Sequence, residues 1–320
     1  MKKILITGVN GFVGSHLAER LIATGGVELI GMHLDDNFTN IDSIKGSIDL
    51  VQCDLLDSDK VAEVVAKVRP DTIYHLAAQS VPAFSIADPA PTLRVNLFGT
   101  LSLLEAVKAH SPETVFVNIG SSEEYGSVTE AEVPIGEAQE LRPSNPYAVS
   151  KVAQDMLGYQ YWKRDGVKVV RCRPFNHFGP RQADLFVVSS FARQVAEIEA
   201  GLVDGNVMTV GNLFPERDFL DVRDVVSAYM LLSDRGEYGT VYNVCSGVPV
   251  SIKKILDRLI ALSGAEVKVQ SSAEKTRKED ASVVYGDVER LKALGWTRAH
   301  ALDDSLGELL DYWRALSAPK

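Results

Sequence analysis

Three glycines spaced by three, Gly8, Gly11 and Gly14, sit between a short apolar run at residues 4–7 and a stretch of helical periodicity at residues 12–23. The run has no polar alternation, as expected of a strand buried on both faces. Glycine between such a strand and a helix permits a tight turn. It also lets backbone N–H groups and the helix N-terminus approach a pyrophosphate. The first interval is one residue longer than in the G-x-G-x-x-G fingerprint, but the strand before and the helix after are both in place. Gly8, Gly11, Phe12, Val13 and Gly14 are therefore candidate contacts for a dinucleotide.

Strand and helix patterns then alternate. Strands are predicted at 27–32, 49–53, 72–76, 115–119 and 168–173, and helices at 61–68, 91–108 and 147–163, the first of these stopped by Pro70. Repeated β-α-β units give an α/β architecture, a doubly wound parallel sheet of Rossmann type. Beyond Pro174 the elements shorten. A helix at 222–232 and a core strand at 241–244 follow, then two helical runs flank the charged stretch 274–280. This predicts a dinucleotide-binding domain of 1–174 plus about 221–247. A smaller, discontinuous substrate lobe would be built from about 175–220 and 248–320. With 320 residues, 46% of them hydrophobic, the chain can bury a core of that size.

A net charge of −10 argues against nucleic acid as a partner, while leaving room for an anionic ligand held by local arginines. Cys53, Cys172 and Cys245 are odd in number and lie in or beside apolar runs, so buried free thiols in a reducing cytosol are expected. The apolar run near the N-terminus is too short for a signal peptide. No stretch approaches membrane-spanning length. No metal site is predicted.

Tyr147 and Lys151 stand four apart at the start of a helix marked by Asn145-Pro146, and so share one face. An ammonium beside a phenol favours the phenolate and would lower its pKa. Such a group suits proton transfer at a sugar hydroxyl or ketone. Tyr159 and Lys163 repeat the spacing three turns further along, without the Asn-Pro start, and are read as a surface pair. Asp54, after the third strand, is placed to touch an adenine. His75 is expected to be packed, and the small residues beside it would let a cofactor cross the sheet edge. Asp35 and Asp36 lie just past the second strand with no Arg following. That leans the cofactor choice toward NAD(H) over NADP(H), although His33 could serve a 2′-phosphate.

The glycine loop, His75-Leu76-Ala77-Ala78, Asn96 within Asn96-Leu97-Phe98-Gly99-Thr100, Ser121, and the Tyr147/Lys151 pair together resemble the extended short-chain dehydrogenase/reductase family, nucleotide-sugar branch. The resemblance covers essentially the whole chain. It implies that Ser121 orients the substrate oxygen, Tyr147 is the acid/base and Lys151 holds the nicotinamide ribose. Leu55, Leu76, Ala77, Ala78, Asn96 and Pro174 join the expected cofactor contacts, and Gln79, Ser122 and Glu123 the expected substrate contacts.

Several further blocks are similar to GDP-4-keto-6-deoxy-D-mannose reductases, which form GDP-D-rhamnose. They are Gly120-Ser121-Ser122-Glu123-Glu124-Tyr125-Gly126, Arg173-Pro174-Phe175-Asn176-His177-Phe178-Gly179-Pro180, Gly211-Asn212-Leu213, Arg217-Asp218-Phe219, Asp221-Val222-Arg223-Asp224 and Tyr242-Asn243-Val244-Cys245-Ser246-Gly247. This implies that Asn176, Arg217 and Arg277 contact a GDP-linked sugar. The chain departs from the pattern at Lys278, where those proteins have proline, and at Arg181, where they have glycine.

Two other readings stand beside this one. Glu123, two residues after Ser121, occupies the place where 4,6-dehydratases of the GDP-mannose type keep the base that removes the C5 proton; a C4 epimerase is a related option. A non-catalytic dinucleotide-sensing protein of this fold would be expected to lack the tyrosine or lysine. Residues 92–107 carry Leu93, Val95, Leu97, Phe98, Leu101, Leu103, Leu104 and Val107 around most of the helix, so one face covers the sheet and another needs a partner. A homodimer through a four-helix bundle, with the helix that starts near Tyr147 as companion, is expected.

Overall fold

The computed structural model describes residues 1–272 and 281–318. The chain opens β1 (Lys2–Thr7), α1 (Phe12–Thr24), β2 (Val27–His33), β3 (Asp49–Gln52), α2 (Ser58–Val68), β4 (Thr72–His75), α3 (Pro82–Ala87), α4 (Pro89–Leu93), α5 (Gly99–His110), β5 (Val115–Ile119), α6 (Pro146–Asp165) and β6 (Lys168–Pro174). It continues β7 (Asn176–Phe178), α7 (Val187–Glu199), β8 (Val207–Val210), β9 (Glu216–Asp221), α8 (Val222–Arg235), β10 (Val241–Val244), β11 (Pro249–Ser251), α9 (Ile252–Ser263), β12 (Lys268–Ser271), β13 (Val283–Val284), α10 (Glu289–Ala293) and α11 (Leu302–Ser317).

Seven strands form one parallel sheet in the order β10-β6-β5-β4-β1-β2-β3. The order reverses between β1 and β4. In open α/β sheets a ligand crevice forms at the carboxyl ends of the strands on either side of such a switch. Leu5, Ile6, Ile73, Phe116, Val117, Val169 and Val170 are fully buried in the central strands, as a sheet covered by helices on both faces requires.

The predicted helix 91–108 is not uniform. It begins at Pro89, where the Asp88 carboxylate accepts from Ala90 N. It then widens into a π-helical turn over Arg94–Phe98 before continuing as α5. The turn carries Asn96 into the interior, fully buried, and leaves Phe98 half exposed, so the helix is not covered all round within one chain.

The second lobe has its own core, in which Phe178, Phe191, Val195, Phe219, Leu256 and Leu309 join α7, α9, α11 and the β7–β9–β11 region. Reading 248–320 as one lobe needs a correction. Val288, Leu291 and Trp296 pack into the same core as Ile6, Tyr74 and Tyr229, and Trp296 Nε1 donates to Ser227 Oγ on α8 at 3.0 Å. The C-terminal segment therefore crosses back to the large sheet around α10, which packs against β10. Among the described residues three helices follow Val250, where two were expected. The charged stretch 274–280 lies outside the described residues.

Candidate active site

The glycine loop is built for close approach. Gly8 has φ +71°, and a Cβ there would press on the Ala77 backbone at 3.1 Å. A Cβ on Gly14 would collide with Gly8 O. Gly11 caps α1 without a side-chain bond, and the first turn holds no acidic residue. The free N–H groups at that end suit a diphosphate, so these residues fit a dinucleotide. The Phe12 ring stacks on His177, with centroids 6.0 Å apart.

Beside the loop runs a directed chain of hydrogen bonds. Ala77 N donates to Thr7 Oγ1 at 3.1 Å, and Thr7 Oγ1 lies 2.9 Å from His75 Nδ1. His75 Nε2 lies 2.9 Å from Thr100 Oγ1, whose proton goes to Asn96 O at 2.7 Å. Thr100 therefore accepts from Nε2–H, and Thr7 donates to Nδ1, so the ring is a neutral imidazole with both nitrogens used. Burial pushes its pKa down to about 3. His75 is a packed histidine, as expected.

The Asn96 side chain is engaged inside the protein. Its Oδ1 accepts from Gln79 N at 2.8 Å, and its Nδ2 donates to Gln79 O at 3.0 Å and Ser150 Oγ at 2.9 Å. The π turn aims the amide inward, where it pins the loop after β4 to α6. Gln79 Oε1 is left buried with no hydrogen-bond partner among the described residues. Leu76, Ala77 and Ala78 are partly open beside it, whereas Pro174, closing β6, is buried. Asp54 is exposed, with Oδ1 accepting from Leu56 N at 2.9 Å; Leu55 is buried against the α5 start, where a Cβ on Gly99 would meet it at 3.0 Å.

Ser121, Tyr147 and Lys151 come together at the carboxyl end of β5. Asn145 caps α6 through Ala148 N, Pro146 occupies its first turn, and Tyr147 N donates to Ser85 Oγ on α3 at 3.1 Å. Tyr147 is buried and its phenol is hydrogen-bonded with Ser121. Lys151 is buried and donates to Ile119 O at 2.8 Å and Gln154 Oε1 at 2.9 Å. This reverses one expectation. The ammonium bends toward the end of β5 and does not hold the phenolate; burial raises the phenol well above its ordinary value, against the Ser121 bond and with Glu123 and Glu124 adding to the rise. Burial also lowers Lys151 to about 8, opposed by Glu124. A neutral phenol and a serine hydroxyl side by side can polarise a carbonyl oxygen and protonate it as it gains charge.

Glu123 is partly buried, and Asn145 Nδ2 donates to its Oε2 at 3.0 Å; Ser122 beside it is also partly open. Glu124 had no role in the sequence reading. It is fully buried, accepts from Ser121 N at 2.8 Å and from Arg173 Nε at 2.8 Å, and shares Arg173 with Asp155, which also meets Arg171. Burial raises its carboxyl, with Asp155 adding and Arg173 opposing.

In the second lobe Asn176 is exposed on β7 and donates to Asp218 O at 3.4 Å. Arg217 donates to Ala281 O at 2.9 Å and Glu216 O at 2.7 Å. Arg277 and Lys278 lie outside the described residues. Arg181 does not join the substrate lobe. Its guanidinium bonds Glu19, His16 Nδ1 and Asn40 O, and its φ of +74° is a conformation that glycine adopts without strain. The Tyr159/Lys163 pair is apart from the site: Tyr159 is exposed against Trp162, and Lys163 lies over Trp162. His33 is buried with Nδ1 on Asp35 O, while Asp35 Oδ1 is held by Asn10 Nδ2 and Asn37 N. No cluster of three or more potential metal ligands occurs among the described residues.

The sheet, the glycine loop and the Ser121/Tyr147/Lys151 centre define an NAD(P)-dependent nucleotide-sugar oxidoreductase of the extended short-chain dehydrogenase/reductase class. Comparison with known proteins narrows this. The model of the GDP-mannose 4,6 dehydratase family matches residues 5–309, and the chain belongs to that family. It is 37% identical to a GDP-6-deoxy-D-mannose reductase of Pseudomonas aeruginosa, over 98% of each chain. It is 30% identical to a GDP-mannose 4,6-dehydratase of Vibrio cholerae, over 97% of this chain and 93% of that one. Among solved structures, RMD from Pseudomonas aeruginosa complexed with NADPH superposes with a TM-score of 0.88 at 37% identity, covering 99% of this chain and 100% of the other.

Proposed function

We propose that the chain reduces the C4 ketone of GDP-4-keto-6-deoxy-D-mannose to give GDP-D-rhamnose. The observation that carries this is the full-length likeness to the P. aeruginosa reductase, 37% identity over 98% of each chain. It is joined to a Ser121/Tyr147/Lys151 centre whose phenol can hand a proton to a ketone oxygen.

The nicotinamide dinucleotide supplies the hydride when bound. Tyr147 protonates the sugar oxygen, Ser121 holds it, and Lys151 is placed for the ribose. Gln79, with an unpartnered buried oxygen, Ser122, Glu123, Asn176 and Arg217 are the substrate contacts among the described residues. A fixed Asp35 carboxylate near the end of β2, and a buried His33, favour NAD(H) over NADP(H). Phe98, at the end of the π turn leading into α5, and Val149, Met156 and Tyr159 on α6 leave an exposed apolar face that fits a homodimer through a four-helix bundle. Three free buried cysteines and the absence of a membrane-crossing helix among the described residues fit a cytosolic enzyme.

The test supplies GDP-4-keto-6-deoxymannose with NADH or NADPH and follows loss of the reduced nicotinamide. In the same preparation Glu123→Gln should stay within about tenfold of wild type, since reduction removes no C5 proton. The dehydratase reading is favoured by the position of Glu123 and by the V. cholerae relative. It replaces the reductase reading if wild type converts GDP-mannose to the 4-keto-6-deoxy sugar without added cofactor and Glu123→Gln does not.

A further inference from the structure

Beneath the serine loop lies a buried carboxylate that touches neither the crevice nor solvent. Glu124 Oε1 accepts the backbone N–H of Ser121 at 2.8 Å, and Oε2 accepts from Arg173 Nε at 2.8 Å. The Arg173 guanidinium is itself held from three sides, by Asp155 Oδ2 at 2.6 Å, by the Tyr125 hydroxyl at 3.2 Å and by Glu124. Asp155 is balanced in turn by Arg171 at 3.2 Å, so two acids and two arginines alternate in the interior. Gly120 is part of the same device. A Cβ there would collide with Glu124 Oε1, so only glycine lets the carboxylate reach past it to Ser121.

The reach matters for what Ser121 can do. Its Oγ already accepts from Glu123 N at 3.1 Å, which commits one lone pair and turns the hydroxyl toward Tyr147. The direction of that hydroxyl depends on the backbone of Ser121, and among the described residues the side chain bonding that backbone N–H is Glu124. A surface carboxylate would be a loose tether. This one is fully buried and clamped by an arginine that β6 holds rigidly in the sheet.

We infer that Glu124 is a positioning residue for catalysis, fixing the Ser121 hydroxyl against Tyr147 by a carboxylate–backbone bond that Arg173 clamps from behind. What the reaction uses is an acceptor at the right distance from Ser121 N. A one-carbon retraction removes that acceptor while keeping the charge, and a neutral amide keeps it while giving up the bond to Arg173.

The assay is the reduction named above, and the inference rests on that reading for its substrate alone. Failure of wild type to turn over that sugar sinks the reading; the inference is then judged by the same variant ratios on GDP-mannose, the dehydratase substrate. Glu124→Asp should lose about 30- to 100-fold in kcat while its cofactor Kd stays within about threefold. Glu124→Gln keeps an oxygen for Ser121 N but turns its NH2 against the Arg173 Nε–H, donor facing donor, so it should also lose kcat, by less than Glu124→Asp. In a Ser121→Ala background Glu124→Asp should add less than about twofold, since the group it positions is gone. If Glu124→Asp does not fold by circular dichroism, Glu124→Met, which fills the volume without an acceptor, takes its place in both comparisons. The inference is overturned if the variant without the acceptor keeps wild-type kcat, or if the losses add fully in the Ser121→Ala background.

Discussion

Asn145 and Glu123 meet at 3.0 Å, and the bond joins two elements that arrive from different parts of the chain. One end of the Asn145 side chain caps α6 through Ala148 N, and the other donates to the Glu123 carboxylate. The loop carrying Ser121 and the helix carrying Tyr147 are thus tied at their tips as well as at the phenol. Rotation of α6 would break a helix cap and a charged hydrogen bond together, which together contribute on the order of 2 kcal/mol.

Tyr147→Phe should abolish turnover, by about 100- to 10,000-fold, and leave cofactor affinity nearly unchanged, because the ring packs while the hydroxyl transfers the proton. Tyr159→Phe should be close to silent. Its ring lies over Arg171, 5.0 Å from the guanidinium carbon, and phenylalanine keeps that ring. Steady-state kinetics with a fluorescence titration of the cofactor distinguishes the two. Damage from the second change alone would move the site elsewhere.

Gly14→Ala should weaken cofactor binding by tenfold or more, and lower the unfolding temperature, because the new methyl collides with Gly8 O and must push the loop from α1. Titration of NADH and NADPH against both proteins reads the first effect, and calorimetry the second. Binding at wild-type affinity would mean that the loop does not cradle the diphosphate.

Stability should fall on acidification before the carboxylates titrate. Burial depresses His75 to about 3 and His16 to about 4, both from 6.5. Above pH 6.5 neither the folded nor the unfolded chain protonates them, so they add no pH dependence. Between about 6.5 and 4 the unfolded chain takes up protons that the folded chain refuses, and each histidine costs about 1.4 kcal/mol per pH unit. At pH 5 the loss is roughly 2 kcal/mol for each. Urea unfolding at pH 7.5 and 5 measures it, and His16→Gln should show a loss smaller by about that amount. An unchanged slope in that variant would rule out His16 as a source.

Phe98→Glu should leave the enzyme monomeric, since it places a charge in the exposed apolar face shared with Val149 and Met156. Light scattering at micromolar protein reads the mass. A wild type that is already monomeric at that concentration removes the dimer proposal.

The strands of the large sheet were legible because burial on both faces writes them as unbroken apolar runs, as in Leu5-Ile6 and Val169-Val170. The Ser121/Tyr147/Lys151 centre was legible through spacing and through the Asn-Pro start of α6. The π turn at Arg94–Phe98 was not, because nothing in local propensity separates it from a longer α-helix. Glu124 was missed since a glutamate in a loop reads as solvated, and its partner Arg173 lies 49 residues away. A signal did exist: Arg171 and Arg173 share one face of a strand that must be buried, and buried guanidinium groups require acids nearby. The direction of the Tyr147 shift was misread because sequence spacing shows proximity to Lys151 but not where its ammonium points.

The return of Val288, Leu291 and Trp296 to the large sheet limits how this protein can be recombined. No single cut separates the large sheet from the smaller lobe. A chimera made by joining the first 248 residues to the tail of a relative would inherit a foreign seam along β10, where α10 packs. Exchange of sugar preference between such enzymes would need at least three grafted segments, with the stretch around α10 left behind as part of the recipient.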